Sequence, residues 1–149
     1  MNVTHDSKID SAVVAARGDY QKAVKGGEPT GLAKVTPDGV KVTPTASKAG
    51  STLTADTAKV NIKGADALVH GHLGGAVTDE PSANKGYGDT QSLKAGIPTY
   101  TVEGARVGVH DAPGGQLRFE MISGAMTKEE ASTIQSNLNR EQRLFESAP

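Results

Sequence analysis

Ala65-Asp66-Ala67-Leu68-Val69-His70-Gly71-His72 is the stretch on which the reading of this fold turns. A short apolar run bounded by turn residues reads as a buried strand, and here it ends in two histidines. Side chains two apart on an extended strand point to the same face, so both imidazoles can converge on one point. Two ligands of one metal ion must do the same. Gly71, Gly74 and Gly75 let the backbone turn away from that point at little steric cost. A carboxylate, Asp89, follows 17 residues after His72 in Gly86-Tyr87-Gly88-Asp89. It can complete a two-histidine, one-carboxylate set, which suits zinc with the fourth position left for water.

The segments before this strand alternate helical and extended patterns. Asp6 or Ser7 can cap a helix over 8–25, lined by Ile9, Val13, Val14, Ala16, Tyr20 and Val24 and stopped by Gly26-Gly27. Gly31 to Thr36 and Val40 to Thr43 flank Pro37-Asp38-Gly39, which predicts a hairpin. Residues 44–58, rich in Ser, Thr, Ala and Lys, read as a long exposed loop, and Val60 to Ile62 as a short strand.

Beyond the histidines, residues 73–88 read as a loop. Asp89 then opens, and can cap, a short helix ending near Gly96. Strands are expected over 98–102, 106–110 and 116–122. Thr127-Lys128-Glu129-Glu130 is a capping box opening a last helix, whose Ala131, Ile134, Leu138 and Phe145 should pack on the sheet. The expectation is one α/β (α+β) domain with a central, mostly antiparallel sheet packed by N-terminal and C-terminal helices. Residues 1–26 form the first helical part, 27–124 the β-rich core and 127–146 the last helix.

Composition narrows the function. Sixteen basic residues against 17 acidic ones, scattered along the chain, leave a net charge of −1 and no basic patch to select phosphates, so no nucleic-acid partner is expected. There is no cysteine, which excludes disulfides, thiol nucleophiles and thiolate metal sites; His, Asp and Glu must hold any metal. No apolar segment approaches membrane-spanning length, and the first residues lack a basic stretch followed by an apolar run. The expected location is cytoplasmic, or exported without a cleavable signal peptide. No G-x-S-x-G elbow or P-loop is present.

From Glu28 to Gly124 the order of motifs resembles the JAB/MPN metallopeptidase-like superfamily, nearest to a bacterial domain found at the ends of polymorphic toxin and Rhs-type proteins. The matching pieces are Glu28-Pro29-Thr30-Gly31, Val69-His70-Gly71-His72 and Gly86-Tyr87-Gly88-Asp89. They continue with Gly96-Ile97-Pro98-Thr99-Tyr100-Thr101-Val102, Arg106-Val107-Gly108-Val109-His110-Asp111 and Phe119-Glu120-Met121-Ile122-Ser123-Gly124. The resemblance implies that His70, His72 and Asp89 ligate zinc and that Glu28 is the general base for the metal-bound water. The implied reaction is hydrolysis of an amide bond in a peptide or protein substrate, in a bacterial effector or toxin setting.

The sequence departs from that pattern in three places. The serine of S-x-x-D is Gly86, and loss of one oxyanion donor costs ~100- to 1000-fold in rate. The proline usual after H-x-H is Leu73, and the interval to Asp89 is long enough for Asp79 or Glu80 to compete as third ligand. Ser82 or Ser92 are the hydroxyls available to replace the missing one.

Plainer readings stand beside these. His70 and His72 can be polar groups at a strand end near solvent, Asp89 a helix cap, Glu28 a solvated loop charge and His110 a structural residue. His5 is expected in a frayed terminus. A catalytically degenerate module acting by partner binding is the alternative to the enzyme, and a small β-rich protein without zinc is the third.

Overall fold

The computed structural model describes residues 2–20, 28–44, 54–55, 62–71 and 92–147. Helix α1 (Ser7–Ala16) starts where the sequence predicts. Asp6 is its N-cap, with the side chain accepting from the Ile9 N–H at 2.9 Å, which satisfies one orphan donor of the first turn. Past Ala16 the chain tightens into a 3-10 turn, Arg17–Tyr20, in place of the continuous helix expected there; residues 21–25 of that expected helix lie outside the described residues. Gly18 in that turn explains the change, since glycine weakens a helix interior.

Strands β1 (Glu28–Thr36) and β2 (Gly39–Pro44) form the expected hairpin, with Thr36 paired to Gly39 and the Thr36 hydroxyl donating to the Gly39 carbonyl at 2.7 Å. Gly39 sits at φ +125°, a conformation that side-chain-bearing residues rarely adopt. A two-residue strand, β3 (Thr54–Ala55), pairs with Glu28 and Pro29. This corrects the reading of 44–58 as loop throughout; pairing partners distant in sequence leave no periodicity in so short a piece. Ile62 is no strand: its carbonyl accepts from the Ala65 N–H at 3.0 Å in the turn that leads into β4 (Ala67–Gly71). Val60 and Asn61 lie outside the described residues.

Residues 92–94 are a helical turn, α2, closed by two bonds: Gly96 N–H to Leu93 and Ile97 N–H to Ser92, each 3.0 Å. That pair, with Gly96 at φ +92°, is a Schellman cap and stops the helix at the expected place. Strands β5 (Thr99–Glu103), β6 (Arg106–Asp111) and β7 (Arg118–Ser123) follow as an antiparallel meander. Helix α3 (Lys128–Ser147) opens with the capping box: Glu130 N–H donates to the Thr127 hydroxyl at 3.1 Å and Thr127 N–H to the Glu130 carboxylate at 3.0 Å.

The sheet runs β2-β1-β4-β5-β6-β7, with β3 beside β1. Its pairs are antiparallel except β4 and β5, which run parallel, so the fold is α+β with a mixed sheet. Strand alternation gives the sheet two buried faces. Ala33, Ala67, Val69, Tyr100, Val102, Val107 and Val109 share a core with Ile9, Val13 and Tyr20 of the first helical segment. A second core joins Leu93, Leu117 and Phe119 to Ile134, Leu138 and Phe145 of α3. Buried Val3 belongs to this core and bridges Ala112. Among the described residues, no helix is long and apolar enough to cross a membrane.

Candidate functional site

The candidate site lies where β4 ends. His70 pairs with Thr30 across β1 and with Thr101 across β5, and Thr101 pairs with Gly108. Directly paired residues project to the same side of a sheet, so Thr30, His70 and Thr101 make one polar row across three strands. All three are buried. The Thr101 hydroxyl has no hydrogen-bond partner among the described residues, which is costly in a site shut off from water. Gly108 ends the row because the Phe119 ring fills the space beyond it: a Cβ at Gly108 would lie 2.1 Å from the ring tip.

The next row on this face is Leu68, Thr99, His110 and Phe119. His110 is buried against Phe119, ring centroids 4.7 Å apart and tilted by 50°. That packing agrees with its structural reading.

Of the predicted site residues, Glu28 and His70 fall within the described residues, while His72 and Asp89 lie outside them. So do the competing ligands Asp79 and Glu80, and Ser82 and Gly86. Glu28 opens β1 and pairs with Ala55, so its backbone is strand where a loop was the plainer reading. It precedes Thr30 by two residues, one full strand period, at the end of β1 where β4 finishes. His70 is only 3% exposed, unlike a polar side chain near solvent. Among the described residues, no group of three His, Asp or Glu side chains is arranged to hold a metal. Ser92 is buried and lies in α2.

A second cluster was not legible in the sequence. His5 is held rather than frayed. Its Nδ1 lies 2.8 Å from the Asp10 carboxylate and its Nε2 3.0 Å from Glu120, with Asp111 at 3.9 Å. Its backbone N–H donates to Asp111 at 3.2 Å. Arg118 grips Asp111 with two bonds of 2.9 and 2.7 Å and also reaches Glu120 at 2.8 Å. The Tyr100 hydroxyl donates to Asp10.

Burial works against a charged ring at His5, but bonds to Asp10 and Glu120 and the charges of Asp10 and Asp111 outweigh it. The pKa of His5 is raised. Burial likewise raises that of Tyr100, helped by Asp10, Asp6 and Asp111. The partners of His5 on β6 and β7 are over a hundred positions away, so no local pattern announces them. The only cue is the alternation of Val3 and His5, an extended signature.

Compared with protein-family models, with curated proteins and with solved structures, the chain finds no significant match.

Proposed function

We propose that this chain is a zinc-dependent hydrolase of the JAB/MPN type that cleaves an amide bond in a peptide or protein substrate. His70, His72 and Asp89 would hold the metal and Glu28 would act as general base. The observation that carries the reading is the β1–β4 register. Glu28 and His70, singled out in separate motifs of the sequence, lie on adjacent strands at the same end of the sheet, and Thr30 links them. His70 then leads directly to Gly71 and His72.

The donors fit the metal. A chain without cysteine offers imidazole and carboxylate, which suit zinc, and His70 is buried beside a threonine hydroxyl that lacks a partner among the described residues. Bound zinc would supply Lewis acidity that acidifies water and polarises a carbonyl. Glu28 would take a proton from the attacking water and return it to the leaving amine. The buried Thr30–His70–Thr101 row would hold the imidazole of His70 in place, since ligands supported by fixed neighbours bind best.

Gly86 favours a second reading, in which the module keeps the fold and binds a protein partner without turnover, because the serine that stabilises the oxyanion is missing. Calorimetric titration of chelator-stripped protein with zinc tests the shared premise. One tight site, lost in His72→Ala, is expected; no binding by the wild-type protein overturns the metal assignment. Turnover of quenched peptide and isopeptide libraries, abolished by Glu28→Ala, then separates enzyme from binding module.

A further inference from the structure

We propose that residues 2–5 form a clasp on the β6–β7 side of the sheet, locked by His5 when its ring is protonated and loosened when the ring is neutral. The clasp has a backbone part and a charged part. In the backbone part, Val3 and Ala112 exchange N–H···O=C bonds of 3.0 and 2.8 Å, and the Gly114 N–H donates to the Asn2 side chain at 2.7 Å. In the charged part, the His5 ring sits between Asp10 of α1 and Glu120 of β7, with Asp111 of β6 beside it. One side chain thus ties three elements together.

Proton count makes this lock conditional. Both ring nitrogens face carboxylate oxygens, and only the doubly protonated imidazolium can donate to both. A neutral ring donates from one nitrogen and turns a lone pair toward the other carboxylate. Neighbouring groups do not relieve this. Among the described residues Arg118 of β7 is the cation of this cluster, and it is committed to Asp111 and Glu120. Tyr100 of β5 gives Asp10 one hydroxyl bond but no charge, and Asp6 at the start of α1 adds a further negative charge nearby. Asp10, Asp111 and Glu120 therefore outnumber the fixed cation, and losing the proton on His5 leaves their repulsion uncompensated. The direction of the His5 shift agrees: its neighbours favour the charged ring.

The sign follows. A raised folded-state pKa means the tie is complete below the ordinary histidine value and is lost as pH rises through the folded-state value. The clasp is a sensor of alkaline shift, opening above the ordinary histidine value.

Backbone hydrogen exchange followed by NMR between about pH 5.5 and about pH 9 tests this, corrected for intrinsic exchange and read beside the His5 ring C–H shifts. Protection of the Val3 and Ala112 amides should be lost across the His5 midpoint, while Tyr100 and Val109 in mid-sheet hold theirs. In His5→Gln the protection of Val3 and Ala112 should be low and independent of pH. Glu120→Gln keeps the histidine and should lower its midpoint, moving the loss of protection to lower pH with it. Constant protection across the His5 titration would overturn the proposal. So would an unchanged fall in His5→Gln, or a midpoint that Glu120→Gln leaves in place.

Discussion

The Tyr20 hydroxyl occupies the space above Gly31: a Cβ built on that glycine would lie 1.9 Å from the oxygen and 2.9 Å from the Thr43 carbonyl. Tyr20 closes the 3-10 turn after α1, and Gly31 sits in mid-β1, paired with Val69 on one side and Pro44 on the other. The glycine is needed there for approach, not for its φ. Gly31→Ala should therefore overpack the α1 side of the sheet and cost about 1–3 kcal/mol in urea denaturation. The buried hydroxyl has no partner among the described residues, and burial pushes its pKa up to about 12. Tyr20→Phe should thus be near neutral or stabilising, and should recover part of the Gly31→Ala loss in a double-mutant cycle. Strict additivity would show that the two residues do not meet.

Gln142 makes a different kind of link. Its Oε1 accepts from the Leu117 N–H at 2.7 Å and its Nε2 donates to the Gly115 carbonyl at 3.0 Å, so α3 satisfies the backbone of the irregular link between β6 and β7. Gln142→Leu keeps the bulk but leaves the Leu117 donor without its partner. It should cost about 1–3 kcal/mol by thermal or urea unfolding, although leucine is the better helix former. A neutral result would mean that water replaces the glutamine.

The capping box at α3 carries an ion pair as well, because Arg106 reaches Glu130 at 2.8 Å and Glu103 at 2.9 Å. The bond from Arg106, with that from the Thr127 backbone, pulls the Glu130 pKa down to about 2. A depressed carboxylate contributes stability above its unfolded-state value, and that contribution fades as pH falls from about 4.5 towards about 2. The difference between wild type and Glu130→Gln should be full at neutral pH and vanish below about pH 2. Thr127→Ala, which removes only the hydroxyl cap, should cost about 1 kcal/mol with little pH dependence. Parallel pH series of urea midpoints would distinguish the two.

Features whose chemistry closes within four residues were legible in the sequence. Thr127 and Glu130 declare their helix start, Asp6 its own, and Pro37-Asp38-Gly39 the hairpin, because each rests on side chain and backbone a few positions apart. Gly96 marked the end of α2 for the same reason. What escaped depends on distant neighbours. Thr54 and Ala55 are strand because Glu28 and Pro29 lie beside them, and the parallel pairing of β4 with β5 leaves no mark in either segment. His5 was misread because Asp111 and Glu120 become its neighbours only after the sheet has formed. Of the proposed metal site, the sequence pattern named Glu28 and His70 separately, and folding brings their strands together.

That convergence yields the last prediction. If Glu28 acts as a base and not as a ligand, Glu28→Gln should leave zinc stoichiometry and affinity unchanged while lowering turnover about 100- to 10,000-fold, the usual contribution of a positioned base. His70→Ala should instead abolish zinc binding. It should also lower stability without metal, since a buried imbedded side chain beside Thr30 and Thr101 is removed. Thr101→Val separates support from packing: it removes the hydroxyl that lacks a partner among the described residues and should be neutral or stabilising in apo protein. Metal stoichiometry, peptide turnover and apo unfolding midpoints, measured on the three variants, assign each residue independently. Loss of zinc in Glu28→Gln would make that glutamate a ligand and leave the proton transfer to another group.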